Sequence, residues 1–109
     1  MTKIGLVLVI AMMTMVGCAR EIGDDCSNNA ECGYEWTCDR SQPGGYCTIT
    51  PCNDDVCPGG SACVTFGPQV SYCMKICRQD RDCRDEYVCV TNYNETSDGF
   101  CNQAPTGTP

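Results

Sequence analysis

Apolar residues are crowded at one end of this chain and thin elsewhere. Residues 4–16 form an apolar run of 13 residues, preceded by a single charge, Lys3. Beyond it the bulky apolar positions are Ile22, Trp36, Ile49, Val56, Val64, Phe66, Val70, Met74, Ile76, Val88, Val90, Phe100 and five tyrosines. No window among them repeats at a helical period. A two-residue alternation stands out instead. Val64-Thr65-Phe66 and Val70-Ser71-Tyr72 flank Gly67-Pro68-Gln69, which predicts a β-hairpin. Val90-Thr91 and Gly99-Phe100 flank the polar loop 92–98 and predict a second hairpin, and Gln42-Pro43-Gly44-Gly45 marks the turn of an earlier one. The polar stretches ahead of the hairpins are rich in Asn and Asp, whose side chains bond their own backbone in tight loops, with room for a short helical turn. Residues 102–109 have nothing to bury and are expected to form a flexible tail.

The few apolar residues are interleaved with 13 cysteines in 109 residues. After Cys18 they fall into three sets of four: Cys26, Cys32, Cys38, Cys47; Cys52, Cys57, Cys63, Cys73; and Cys77, Cys83, Cys89, Cys101. Each set follows C-x4-5-C-x5-C-x8-11-C, and the sets begin 26 and 25 residues apart. An aromatic precedes the fourth cysteine every time, as Tyr46, Tyr72 or Phe100, and Trp36 and Tyr87 each stand two before the third. Self-similarity at a fixed period marks a tandem array. Cysteine at this density marks a disulfide framework made in an oxidising compartment. The expected fold is therefore small and disulfide-rich. It has three tandem four-cysteine units over 26–47, 52–73 and 77–101, each with a short β-hairpin, and little or no helix after residue 17. Units of this size are expected not to share a core, so cross-links must supply the stability. A closed loop of about 15 residues contributes ~3 kcal/mol, and reduction is expected to unfold the protein.

Four cysteines allow three pairings, and spacing alone does not choose. We favour first-to-third with second-to-fourth, which interlocks the polar loop with the hairpin. That scheme gives Cys26–Cys38, Cys32–Cys47, Cys52–Cys63, Cys57–Cys73, Cys77–Cys89 and Cys83–Cys101. Nested pairing, sequential pairing and pairing across a linker, as in Cys47 with Cys52, are the alternatives.

Residues 1–17 read as an export signal. Their apolar run is too short to span ~30 Å of hydrocarbon as a helix, and it ends in small residues. Losing Lys3 with it leaves six of the seven Lys+Arg against 14 Asp+Glu, a net charge of −8. Such a surface argues against nucleic acid and anionic lipid headgroups as partners.

Other chemistry finds little support. There is no histidine. No cysteine pair has the two-residue spacing of structural zinc sites or of redox motifs, the closest being Cys73-Met74-Lys75-Ile76-Cys77. Ser27 and Ser61 lack a base. The acidic clusters Asp24-Asp25, Asp54-Asp55 and Asp80, Asp82, Asp85, Glu86 read as solvated turn residues rather than as a glycosidase pair or a calcium loop. The run 78–86 mixes both signs and reads as a self-compensating face. No enzyme, no metal site and no cofactor are expected. Asn94-Glu95-Thr96 is an N-glycosylation sequon at the tip of the third hairpin. Tyr34, Trp36 and Tyr46 form the one aromatic cluster and are the candidate binding surface.

The segment Met15-Val16-Gly17-Cys18 resembles the lipobox of bacterial lipoproteins, with Met15 where that pattern prefers leucine. The resemblance implies cleavage before Cys18 and acylation of that cysteine with palmitate-type chains, with residues 18–25 as anchor and spacer. Ala19, rather than Asp, after the cysteine implies the outer membrane, facing the periplasm or the cell surface. The units look like cysteine-rich extracellular repeats of bacterial surface lipoproteins, and more distantly like EB modules and the Dickkopf amino-terminal domain, in cysteine rhythm only. They imply protein binding or structural spacing. The expected function is a membrane-anchored lipoprotein with a non-catalytic binding or structural role toward a protein or envelope partner. The alternative is a secreted disulfide-rich inhibitor or toxin-like effector, cut after Ala19.

Overall fold

A computed structural model describes residues 20–93 and 99–104. Residues 1–19, with the expected export signal and Cys18, the sequon at Asn94 and residues 105–109 lie outside the described residues. The expected flexible tail over 102–109 is corrected at its start, because Asn102 and Gln103 pair as strand with Val88 and Tyr87, and Ala104 donates to the Glu86 carbonyl.

Each unit begins with a short turn held by its own polar side chains. In the first unit this is one turn of helix, α1 (Asn29–Cys32), capped by Asn28, whose side chain accepts from the Glu31 N–H. In the second unit the Asn53 side chain accepts from the N–H groups of Asp55 and Val56. In the third, a 3-10 turn (Asp80–Asp82) is closed by Asp82, which accepts from the N–H groups of Arg78 and Gln79. Those two bonds, the Arg78 one foremost, hold the Asp82 carboxyl below its ordinary range. A second tie recurs in units one and three. Asn29 and Asp80 each stand three residues after a first cysteine, and each accepts from the N–H of the third cysteine, Cys38 or Cys89.

A hairpin follows in every unit. The strands are β1 (Thr37–Cys38) with β2 (Cys47–Thr48), β3 (Ser61–Gly67) with β4 (Val70–Cys77), and β5 (Tyr87–Val90) with β6 (Gly99–Gln103). The third and fourth cysteines are register partners in all three: Cys38 with Cys47, Cys63 with Cys73, Cys89 with Cys101. They do not bond to each other. Each reaches back to the turn before the hairpin, giving Cys26–Cys38, Cys32–Cys47, Cys52–Cys63, Cys57–Cys73, Cys77–Cys89 and Cys83–Cys101. Cα–Cα spans of 5.4–6.0 Å are the ordinary reach of a disulfide. The bonds thus lock the turn onto the hairpin, and the two bonds of a unit lie side by side.

The units are not independent knots. β4 continues past Cys73 through Met74, Lys75 and Ile76, the stretch read as a linker, into the first cysteine of the third unit. There it pairs with β6, so units two and three share one antiparallel sheet of order β3-β4-β6-β5. The other linker runs along β4. Ile49 accepts from the Cys73 N–H, while the Thr48 and Thr50 hydroxyls donate to the Cys73 and Ser71 carbonyls.

A common core corrects the expectation that units of this size cannot share one. Ile22 and Tyr46, Val64, Cys73 and Met74, and Tyr87 and Phe100 pack as one buried cluster drawn from all three units. The physical reason lies in the numbers. Each unit contributes two or three large apolar groups, too few to dry an interior alone, but pooled they exclude water.

The leading segment is corrected as well. Residues 18–25 do not act as a spacer throughout, because Ile22 is buried, Gly23 donates to the Cys47 carbonyl, and Asp24 accepts from the Cys47 N–H. The folded body therefore starts at Ile22. No helix among the described residues is long and apolar enough to cross a membrane.

Candidate functional site

The aromatic cluster expected to form a binding surface is dispersed by the fold. Tyr34 projects into solvent at 88% exposure, Trp36 is half-buried, and Tyr46 is 1% exposed. Tyr46 is thus a core residue and not part of a surface. Its hydroxyl explains the placement, since both its hydrogen-bonding roles are used inside the protein. It donates to the Cys101 carbonyl at 3.0 Å and accepts from the Lys75 N–H at 2.9 Å. A phenol so placed can be buried without an orphaned polar atom. Burial pushes its pKa well above the ordinary tyrosine value.

Beside it lies the contact that joins the first unit to the third. The Arg84 guanidinium donates to the carbonyls of Gly23 at 2.9 Å, Gly45 at 2.8 Å and Pro43 at 3.0 Å. It also stacks over the Tyr87 ring at 4.7 Å. The Tyr87 hydroxyl donates to the same Pro43 carbonyl, and its ring meets that of Tyr46 with centroids 5.6 Å apart. The first hairpin turn has the shape that Arg84 requires because Gly45 has φ +80°, and a Cβ there would overlap the Cys26 carbonyl oxygen. Desolvation raises the Tyr87 pKa, with the neighbouring Arg84 charge opposing it.

These two tyrosines give a pH dependence of known sign. A folded-state pKa raised above the unfolded value means that the native fold holds the phenolic proton more tightly. The associated stability is complete below the unfolded value of about 10 and is lost as pH rises through the folded values. Tyrosinate absorbance followed against pH should therefore show Tyr46 and Tyr87 ionising above pH ~10, Tyr46 only as the fold gives way. Ionisation of Tyr46 at the ordinary value with the fold intact would contradict its buried position.

Two concave features stand out among the described residues. One is a cleft of about 260 Å³ bordered by Asp39, Gln42, Phe66, Tyr72 and Asn102. Phe66 there meets Tyr72, Tyr93 and Phe100 ring to ring. The other is a groove of about 360 Å³ where the entering chain crosses the first two units. Its walls bring together Arg20, Glu21, Trp36, Gly59 and Lys75. Arg20 lies 3.0 Å from Asp25, the one ion pair among the described residues, and Lys75 is in no ion pair among them, its charge acting on the Asp82 carboxyl from a distance. The groove unites residues from four stretches far apart in sequence, and of these only Trp36 was singled out from sequence. Lys75, with no local pattern to mark it, is placed by β4.

Four of the polar groups considered for catalysis have structural duties. Ser61 Oγ donates to the Pro58 carbonyl, Asp24 accepts from the Glu21 N–H, and Asp80 and Asp82 hold the third unit's turn. Three of the four cysteine sulfurs of each unit cluster within 4.8 Å of one another, but all are consumed in disulfides and offer no thiolate to a metal.

The chain matches no protein-family model, no curated protein and no solved structure.

Proposed function

We propose that this protein is a membrane-anchored lipoprotein of the cell envelope with a non-catalytic binding or structural role. Six disulfides belong to an oxidising extracellular or exported setting. Met15-Val16-Gly17-Cys18 carries the anchor reading, because every other cysteine is already paired and Cys18 alone is left for a thioether-linked lipid. The outer membrane is the bilayer that Ala19 favours. The binding role rests on a body cross-linked in every unit, in which Asp24, Asp80, Asp82 and the Ser61 hydroxyl hold the protein's own turns.

Metabolic labelling with a tagged fatty acid tests the anchor. The wild-type chain is expected to take up label and Cys18→Ala to lose it, and equal labelling of the two ends the proposal. A second reading, a secreted inhibitor-like effector, draws on the exposed tip of the β3–β4 hairpin at Pro68, Gln69 and Val70. A free Arg20 amino terminus on the mature chain would favour it over an acylated Cys18.

A further inference from the structure

We infer that the groove walled by Arg20, Trp36 and Lys75 is a docking site for the phosphate of a phospholipid headgroup, holding the first two units flat on the bilayer. The inference rests on acylation of Cys18 and goes beyond it, since a tethered body could equally hang free in solution.

The tether length comes first. Ile22 is already packed in the core, so four peptide steps separate it from Cys18. Fully extended they span at most about 14 Å. The polar headgroup layer on each face of a bilayer is about 5–8 Å thick. Acyl chains on Cys18 therefore keep the entry point of the folded body within about 6–9 Å of the outer edge of the headgroups, even with the tether fully extended. The surface around residues 20–22 is the surface held nearest them, and the groove opens there because Arg20, Glu21 and Ile22 line it.

The chemistry comes second. Six cations remain on the mature chain, and two of them, Arg20 and Lys75, meet in this one groove against a single carboxylate in its lining, Glu21. Asp25 engages one guanidinium nitrogen of Arg20 and leaves its other donors available. The Lys75 ammonium has no ion-pair partner among the described residues. Trp36 forms the apolar wall, an aromatic suited to the membrane–water boundary. The net charge of −8 opposes long-range attraction to an anionic surface, but a tethered body needs none. The anchor supplies the encounter, and two local cations with a half-buried indole then decide how the body lies.

Trp36 is the only tryptophan in the chain, so its fluorescence reports this groove alone. The acylated full-length protein would be reconstituted into phosphatidylethanolamine–phosphatidylglycerol vesicles, with and without a nitroxide on a fraction of the headgroups. Trp36 emission is expected to be strongly quenched by the headgroup label, and Lys75→Gln is expected to shift the docking equilibrium toward the free form about fivefold while co-flotation with vesicles is unchanged. Protein that is acylated and co-floats, yet shows no quenching of Trp36, overturns the docking site and leaves the anchor standing. Equal quenching in wild type and Lys75→Gln overturns the phosphate contact. Protein that carries no acyl chain and does not co-float overturns the anchor and this inference together.

Discussion

Reducing the native protein is expected to abolish its fold in plain buffer at room temperature. The bonded cysteines are 11–18 residues apart in sequence, and in the chain-entropy account a loop near that length contributes about 3 kcal/mol. Two such loops already reach the lower end of the whole stability of an ordinary domain, about 5 kcal/mol. The shared core holds seven buried residues and one of them, Cys73, is itself half of a disulfide, so little remains once the bonds open. Loss of near-ultraviolet circular dichroism and of amide exchange protection on adding reductant is the expected result. A dispersed amide spectrum in the fully reduced protein would show instead that the pooled core suffices alone.

Replacing Arg84 by methionine should cost about 3 kcal/mol of stability with all disulfides intact, about 1 kcal/mol for each of its three hydrogen bonds, because in a part-buried site water takes over some of what a charged donor supplies. The change removes the donors of three carbonyls, those of Gly23, Pro43 and Gly45, and of these Pro43 alone keeps a second donor, Tyr87. It also removes the cation above the Tyr87 ring. Arg84→Lys should lose most of the same energy, because an ammonium lacks the planar fork that spans several acceptors. Guanidinium unfolding curves for the two variants check this. Losses below about 1 kcal/mol, the worth of one ordinary hydrogen bond, would mean that the first and third units are coupled by packing and not through Arg84. The local framework of each unit should survive either variant, since the disulfides within the units are untouched.

Arg84 also shows where the sequence fell silent. It stood in the mixed run 78–86 and read as part of a self-compensating exposed face. Charge pattern along a segment records what neighbours in sequence can do for one another. It cannot record three carbonyls 39 to 61 positions away. Tyr46 failed for a related reason. Its place before a fourth cysteine marked it as an aromatic of the first unit, but its hydroxyl partners belong to Lys75 and Cys101. The stretch Met74-Lys75-Ile76 was equally ambiguous, because three residues between cysteines read as a linker whether or not a strand passes through them.

What the chain determined alone was everything governed by short range: three units of four cysteines, a capped turn and a hairpin in each, hardly any helix, and the demand for cross-links. Turn formers, alternation and spacing act within a dozen residues, so they are written along the sequence. What the tertiary structure decided was that the three units fuse, through a strand common to two of them, a buried cluster drawn from all three and one arginine reaching between the first and the third. Apolar groups too sparse to bury themselves must find partners in other units, and which partners they find depends on how the units meet in space, a matter on which no local pattern bears.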